Sequence, residues 1–186
     1  TVIKAIFAAV LRVLYRIELR GVENYKAAGD RAVVVVNHVS FIDGLLIGAL
    51  LPGKPTFAVD TYIARKWWAK PFLSLVEVFP VDPTNPRSIK SLIKVVRDED
   101  RKCVIFPEGR ITVTGALMKI NEGPGMIAEK ADAPIIPIRI DGAQYSPFSR
   151  LKGKVRTRFF PKITITILPP RRFQIPEEIV GRARRQ

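Results

Sequence analysis

The feature that most constrains this chain is the run Val33-Val34-Val35-Val36 within Arg31 to Val36, which passes directly into Asn37-His38 and then into a helical pattern. Four successive β-branched residues leave no polar face. Such a strand must be covered on both sides, as happens in a parallel sheet with helices packed on each face. The rest of the chain repeats this grammar. Phe41 to Leu51 reads as a helix stopped by Pro52-Gly53, Pro55 to Val59 as a strand, and Tyr62 to Leu75 as a helix broken at Pro71. Val76 to Val81 is strand-like. Asn85 then offers a cap before Pro86 at the first helical position, and the helix that follows carries Ile89, Leu92, Ile93, Val95 and Val96 on one face. Cys103 to Phe106 and Pro134 to Ile140 are buried-strand patterns, with a helix from Gly123 to Lys130 between them. Ile163, Ile165 and Ile167 alternate with Thr164 and Thr166, the period of a half-exposed strand. The expectation is one α/β domain over residues 1–186, with a mixed, largely parallel sheet flanked by helices.

The N-terminal segment, residues 1–16, is mostly apolar but punctuated by Lys4, Arg12 and Arg16. It is too short and too interrupted for a spanning helix, which needs ~20 apolar residues. Tyr15-Arg16-Ile17-Glu18 is no signal-peptidase site. Two readings stay open: a helix lying in a membrane interface with its basic side chains reaching the headgroups, or an ordinary amphipathic helix packed on the domain. At the other end, residues 176–186 read as the start of a truncated helix; with no Met at Thr1, the termini suggest a domain excised from a longer multidomain protein, the alternative being N-terminal processing plus disordered ends.

Charge narrows the partners. The chain has 31 Lys plus Arg against 17 Asp plus Glu, a net charge of +14, yet 47% of its residues are hydrophobic. That pairing excludes disorder and points to anionic partners: nucleic acid, a membrane surface or an acidic protein. One Cys and one His leave no metal site of the usual kinds and no disulfide framework.

The lone His38 stands where the valine strand meets a helix N-terminus, the edge at which open α/β sheets bind ligands. Asp43 follows five residues later. A turn at Val39-Ser40 would fold its carboxylate back onto the imidazole, fixing the tautomer and leaving the second ring nitrogen as a base. The alternative is a helix-capping His beside a surface acid. A second stretch, Phe106-Pro107-Glu108-Gly109-Arg110, also leaves a buried strand for a loop, and would bring Glu108 and Arg110 to the same edge. Arg suits a phosphate. Lys119 and Gly123-Pro124-Gly125 follow downstream. Taken alone, the Glu-Gly-Arg is better read as a structural ion pair.

Together, His38-x4-Asp43 and Phe106-Pro107-Glu108-Gly109 resemble the blocks of the glycerolipid acyltransferase family, over about Leu11 to Pro170, with Ile135-Ile136-Pro137-Ile138 as a further element. In detail, Asn37 to Gly44, Val81 to Pro86, Phe106 to Thr112, Gly115 to Ile120 and Phe148 to Gly153 are similar to bacterial bifunctional members. Those join a 2-acylglycerophosphoethanolamine acyltransferase to an acyl-[acyl-carrier-protein] synthetase. The resemblance implies the fold of glycerol-3-phosphate acyltransferases, no cofactor, His38 and Asp43 as the catalytic pair, and Asn37, Ser40, Glu108, Gly109, Arg110 and Lys119 on the substrate-binding side. It implies acyl transfer from an acyl carrier protein or coenzyme A thioester to the sn-1 hydroxyl of a 2-acyl-lysophospholipid, at the cytoplasmic face of a bacterial inner membrane. A fused synthetase domain is implied as a partner, and nucleic acid is not.

One block departs from the family. Members acting on a phosphate monoester carry a Gly-x-x-Phe-Ile-x-Arg pattern; the matching stretch here, Glu77 to Pro83, ends in Pro. That favours a phosphodiester acceptor over 1-acylglycerol 3-phosphate. The residues Trp67-Trp68 with Arg65, Lys66 and Lys70 suit a membrane interface or a core helix with a basic face. The alternating cations Arg150, Lys152, Lys154, Arg156 and Arg158 suit an acidic carrier or, preferably, a charged strand edge. A non-catalytic module binding anionic lipid is the reading from a different class.

Overall fold

The structure is a computed structural model that describes residues 2–67, 76–82, 85–151 and 153–173. Its elements run α1 (Val2–Leu14), β1 (Glu18–Arg20), α2 (Val22–Ala27), β2 (Ala32–Val36), α3 (Asp43–Leu50), β3 (Thr56–Asp60), α4 (Thr61–Ala64), β4 (Glu77–Val81), α5 (Pro86–Asp98), β5 (Lys102–Ile105), α6 (Gly123–Lys130), β6 (Ile135–Asp141), a single 3₁₀ turn (Ala143–Tyr145) and β7 (Thr164–Ile167). The strands form one seven-stranded sheet in the order β1-β7-β6-β2-β5-β3-β4. Every neighbouring pair is parallel except β6 and β7. The sheet is therefore mixed and largely parallel, as the valine run requires.

The valine strand β2 lies at its centre, between β5 and β6. Its side chains divide by parity, as the strand period dictates. Val34 and Val36 enter the larger core with α1 and α3, including Leu11, Leu46, Ile47, Ile136 and Ile165. Val33 and Val35 enter the opposite core with Leu92 and Val96 of α5 and Ile127 and Ala128 of α6. Cys103 is fully buried there, and burial pushes its thiol up to about 12. It packs and is not poised to react.

The connections leaving β2 and β5 run in opposite directions: α3 leads past β5 to β3, and α6 leads back past β2 to β6. The crevice at the carboxyl ends of β2 and β5 is thus a topological switch point, where ligands bind in such sheets. His38 follows β2 and Phe106 follows β5.

Several sequence expectations change in detail. Helix α3 begins at Asp43, not Phe41, because the amides of Val39 and Ser40 are given to the Asp43 carboxylate and the preceding residues form a turn. Helix α4 ends at Ala64; the remainder of the expected helix to Leu75, with Trp68 and Lys70, lies outside the described residues from position 68, as do Pro83 and residues 176–186. Lys152 lies outside the described residues, and among the described residues of 150–158 none belongs to a strand of the seven-stranded sheet; Lys154 Nζ donates to Val113 O at 2.8 Å. Strand β1 and helix α2 were not anticipated. β1 is three residues long with charged ends, and Arg20 pairs with Glu18 across it at 2.6 Å.

Helix α1 lies on α3. Lys4 Nζ donates to Leu51 O at 2.9 Å and Gly53 O at 2.7 Å, satisfying carbonyls just beyond the α3 C-terminus. Arg16 Nη2 donates to Phe160 O at 2.8 Å. Two of the three cations expected at headgroups are therefore spent on the domain itself. Ala8 and Leu11 are buried, whereas Val2, Ile3, Ile6, Val10, Val13 and Leu14 are exposed.

Candidate active site

The site is built where β2 ends. His38 Nδ1 lies 2.9 Å from Asp43 Oδ2. The same oxygen accepts from Val39 N at 2.7 Å and Ser40 N at 2.8 Å. An oxygen already receiving two N–H groups is the acceptor for the ring, so Nδ1 carries the hydrogen and Nε2 is left with its lone pair. Asp43 is fully buried, and its Oδ1 has no hydrogen-bond partner among the described residues. Burial pushes its carboxyl above the usual carboxylate range, against the opposing pull of His38 and the two amides. The His38 side chain keeps about a fifth of its surface open, 20%.

The second loop fixes the ring from the other side. Phe106, the residue after β5, stacks on His38 with centroids 4.3 Å apart and planes at 27°. Thr112 N donates to His38 O at 2.9 Å. Glu108, only 7% exposed, accepts from His38 N through Oε1 at 2.8 Å and from Met118 N through Oε2 at 3.0 Å. Its carboxylate therefore ties the β2–α3 turn to the loop around residue 118. Asn121 closes that loop, donating through both its backbone N and its Nδ2 to Pro107 O at 2.9 and 2.8 Å. Gly109 takes a positive φ of 67° in the intervening turn, with its N–H given to Phe106 O at 3.0 Å.

The structure thus brings His38, Asp43 and Glu108 into one hydrogen-bonded unit. Arg110 and Lys119 are exposed on the same loop system. Asn37 is committed elsewhere. Its Nδ2 donates to Ile140 O at 2.9 Å and its Oδ1 accepts from Ile140 N at 2.7 Å, extending the β2–β6 pairing past Val36. Ser40 is fully buried, with Oγ 3.2 Å from Ser146 Oγ, which itself donates to Ala143 O at 2.7 Å. The Ser40 side chain is closed to solvent, whereas Asn37 is half-buried. The amides of Gly109 and Thr112 are both spent within the site, on Phe106 O and His38 O. Sequence reading missed the Phe106 stack and the Met118 amide; the first had a signal in the Phe that opens the Phe-Pro-Glu-Gly block, the second had none.

This arrangement can take a proton from a hydroxyl at Nε2 and hold the resulting imidazolium against a buried acid. Residues 16–141 match the model of a family described as Acyltransferase. Among similar proteins are the 1-acyl-sn-glycerol-3-phosphate acyltransferase of Limnanthes alba, 30% identical over 83% of this chain and 54% of that protein, and that of Bacillus subtilis, 29% identical over 67% and 62%. The chain spans about half the length of the first of these relatives. Among solved structures, the 1-acyl-sn-glycerophosphate acyltransferase PlsC from Thermotoga maritima has the same fold, with a TM-score of 0.64 at 19% identity over 93% of this chain and 72% of that one.

Proposed function

Because the chain belongs to the Acyltransferase family, we propose that it transfers a fatty acyl group from an acyl carrier protein or coenzyme A thioester to the sn-1 hydroxyl of a 2-acyl-lysophospholipid of the lysophosphatidylethanolamine type. The observation that carries the reaction class is the His38–Asp43 contact at 2.9 Å, with Asp43 caged by two backbone amides. His38 Nε2 removes the hydroxyl proton as the oxygen attacks the thioester carbonyl carbon. The tetrahedral intermediate collapses, the carbon–sulfur bond breaks, and the sulfur leaves with the proton returned from the imidazolium. Asp43 holds the ring and stabilises its charged form. No covalent acyl-enzyme forms, which agrees with Ser40 being buried away from the opening. The family needs no cofactor.

The acceptor choice is supported by sequence: Pro83 stands where members acting on a phosphate monoester carry Arg. The detailed likeness to the bifunctional bacterial members supports a fused synthetase domain. The exposed apolar surface of α1 supports peripheral attachment at the cytoplasmic face of a bacterial inner membrane. Among the described residues no helix is long and apolar enough to cross a membrane.

A second reading, 1-acylglycerol-3-phosphate acyltransferase, is favoured by the names of the similar proteins. Mass spectrometry of products formed from mixed lysophosphatidylethanolamine and lysophosphatidic acid, with each thioester donor, separates the two. Predominant phosphatidylethanolamine supports the first reading; predominant phosphatidic acid overturns it in favour of the second.

A further inference from the structure

A cavity of about 370 Å³ opens beside the His38 unit, between the end of β6 and the loop 115–117. Its size is within the range of small-ligand sites. Asn37 and Val39, the neighbours of His38 in the chain, line it, as does Glu108, which receives the His38 amide. Its far wall carries Arg139 and Asp141. These residues alternate with the buried Ile138 and Ile140, so both project from the same face of β6, and both are exposed. Asp141 is not loose. Its Oδ1 accepts from Gly142 N at 3.0 Å and Gln144 Nε2 at 2.7 Å, while Gln144 Oε1 accepts from Gly142 N at 2.8 Å. Gly142 makes this turn at φ 98°, where a Cβ would fall 2.0 Å from Lys162 O. The carboxylate is therefore held by a rigid turn, and the chemistry so far gives it no task.

We propose that Arg139 and Asp141 form a headgroup subsite that reads a zwitterionic phosphodiester, Arg139 taking the phosphate and Asp141 the ammonium. The inference rests on the lysophospholipid reading above and names the group that selects its acceptor. Two positions along a strand set the Cα atoms of Arg139 and Asp141 roughly 7 Å apart, with their side chains on one face. In an ethanolamine headgroup phosphorus and nitrogen are four bonds apart, a span that a cation and an anion so spaced can bracket. The acceptor glycerol carries its phosphorus five bonds from the reacting sn-1 oxygen, the length that has to reach from this cavity to His38, which adjoins the lining residues Asn37 and Val39 in the chain. A phosphate monoester offers nothing to Asp141 and brings up to two negative charges beside it, which selects against that acceptor.

The test compares lysophosphatidylethanolamine with lysophosphatidylglycerol, an equal phosphodiester with an uncharged end. Asp141→Asn keeps an oxygen for the Gly142 and Gln144 bonds and removes only the charge. It lowers the ratio of kcat/KM for the ethanolamine lipid over the glycerol lipid at least fivefold, about tenfold being the worth of one charged contact. Arg139→Gln lowers kcat/KM for both lipids together. If the wild-type protein acylates these lipids and the Asp141→Asn ratio falls less than fivefold, the subsite is overturned while the acyltransferase reading stands. If the wild-type protein acylates neither lipid, that reading falls and the subsite with it.

Discussion

Asp43 Oδ2 collects three N–H donors, from His38 Nδ1, Val39 N and Ser40 N, while Oδ1 of the same buried carboxylate has none among the described residues. One oxygen thus holds both the imidazole and the turn that delivers it. Asn can satisfy this geometry by pointing its oxygen at the three donors and its amide toward the Oδ1 position, but it cannot stabilise an imidazolium. Asp43→Asn is therefore expected to fold and to lose about 10²–10⁴-fold in kcat, the usual worth of an acid–base group. Steady-state acyl transfer measured alongside circular dichroism checks both halves.

The buried acid also sets a pH dependence of stability. Burial raises the Asp43 pKa in the folded state, so the folded protein binds this proton more tightly than the unfolded chain does. The stability Asp43 contributes is full below its unfolded pKa of about 4 and declines as pH rises through the higher folded value. Urea unfolding of wild type and Asp43→Asn from pH 4 to 8 should show the difference, wild type minus variant, shrinking as pH rises. A difference that grows contradicts it.

Glu108 joins two loops through backbone amides that no other acceptor serves among the described residues. Glu108→Ala leaves the N–H groups of His38 and Met118 unpaired, at a cost of about 1–3 kcal/mol. Glu108→Gln keeps one acceptor and turns a donor toward the other amide, so it is expected to fall between wild type and Ala. Denaturant midpoints of the three proteins test the order.

The α3 core is equally specific. Leu46 is fully buried against the sheet, and Leu46→Ala is expected to cost about 2–5 kcal/mol, read from urea unfolding.

Helix α1 keeps Ile3 and Ile6 exposed while Lys4 pins it to α3. Replacing both isoleucines by Asp is expected to cut sedimentation with anionic phospholipid vesicles about tenfold or more and to leave the circular dichroism spectrum unchanged.

The sequence made the central architecture legible because its signals are local. Four valines announce a strand covered on both faces, and Asn85-Pro86 announces the start of α5. His38 and Asp43 were legible as a pair because a five-residue spacing needs only one turn to close. Glu108 lies at the same sheet edge as His38, as its place after a buried strand implied, but the use of both its oxygens by backbone amides is a long-range fact that spacing does not carry. Asn37 and Ser40 belong to the same block as His38, but their side chains turn to Ile140 and Ser146, partners more than a hundred positions away. Strand β1 escaped because a three-residue edge strand has too short a pattern to register. Lys4 looked like a headgroup contact until α3 placed its terminal carbonyls within reach.

The proposed acyl transfer depends on His38 as its base. Acyl transfer from a thioester to lysophospholipid by purified His38→Ala, with its fold verified by circular dichroism, tests this most directly. Turnover lower than wild type by several orders of magnitude in a folded protein is the predicted result; near-normal turnover by the folded variant would contradict it.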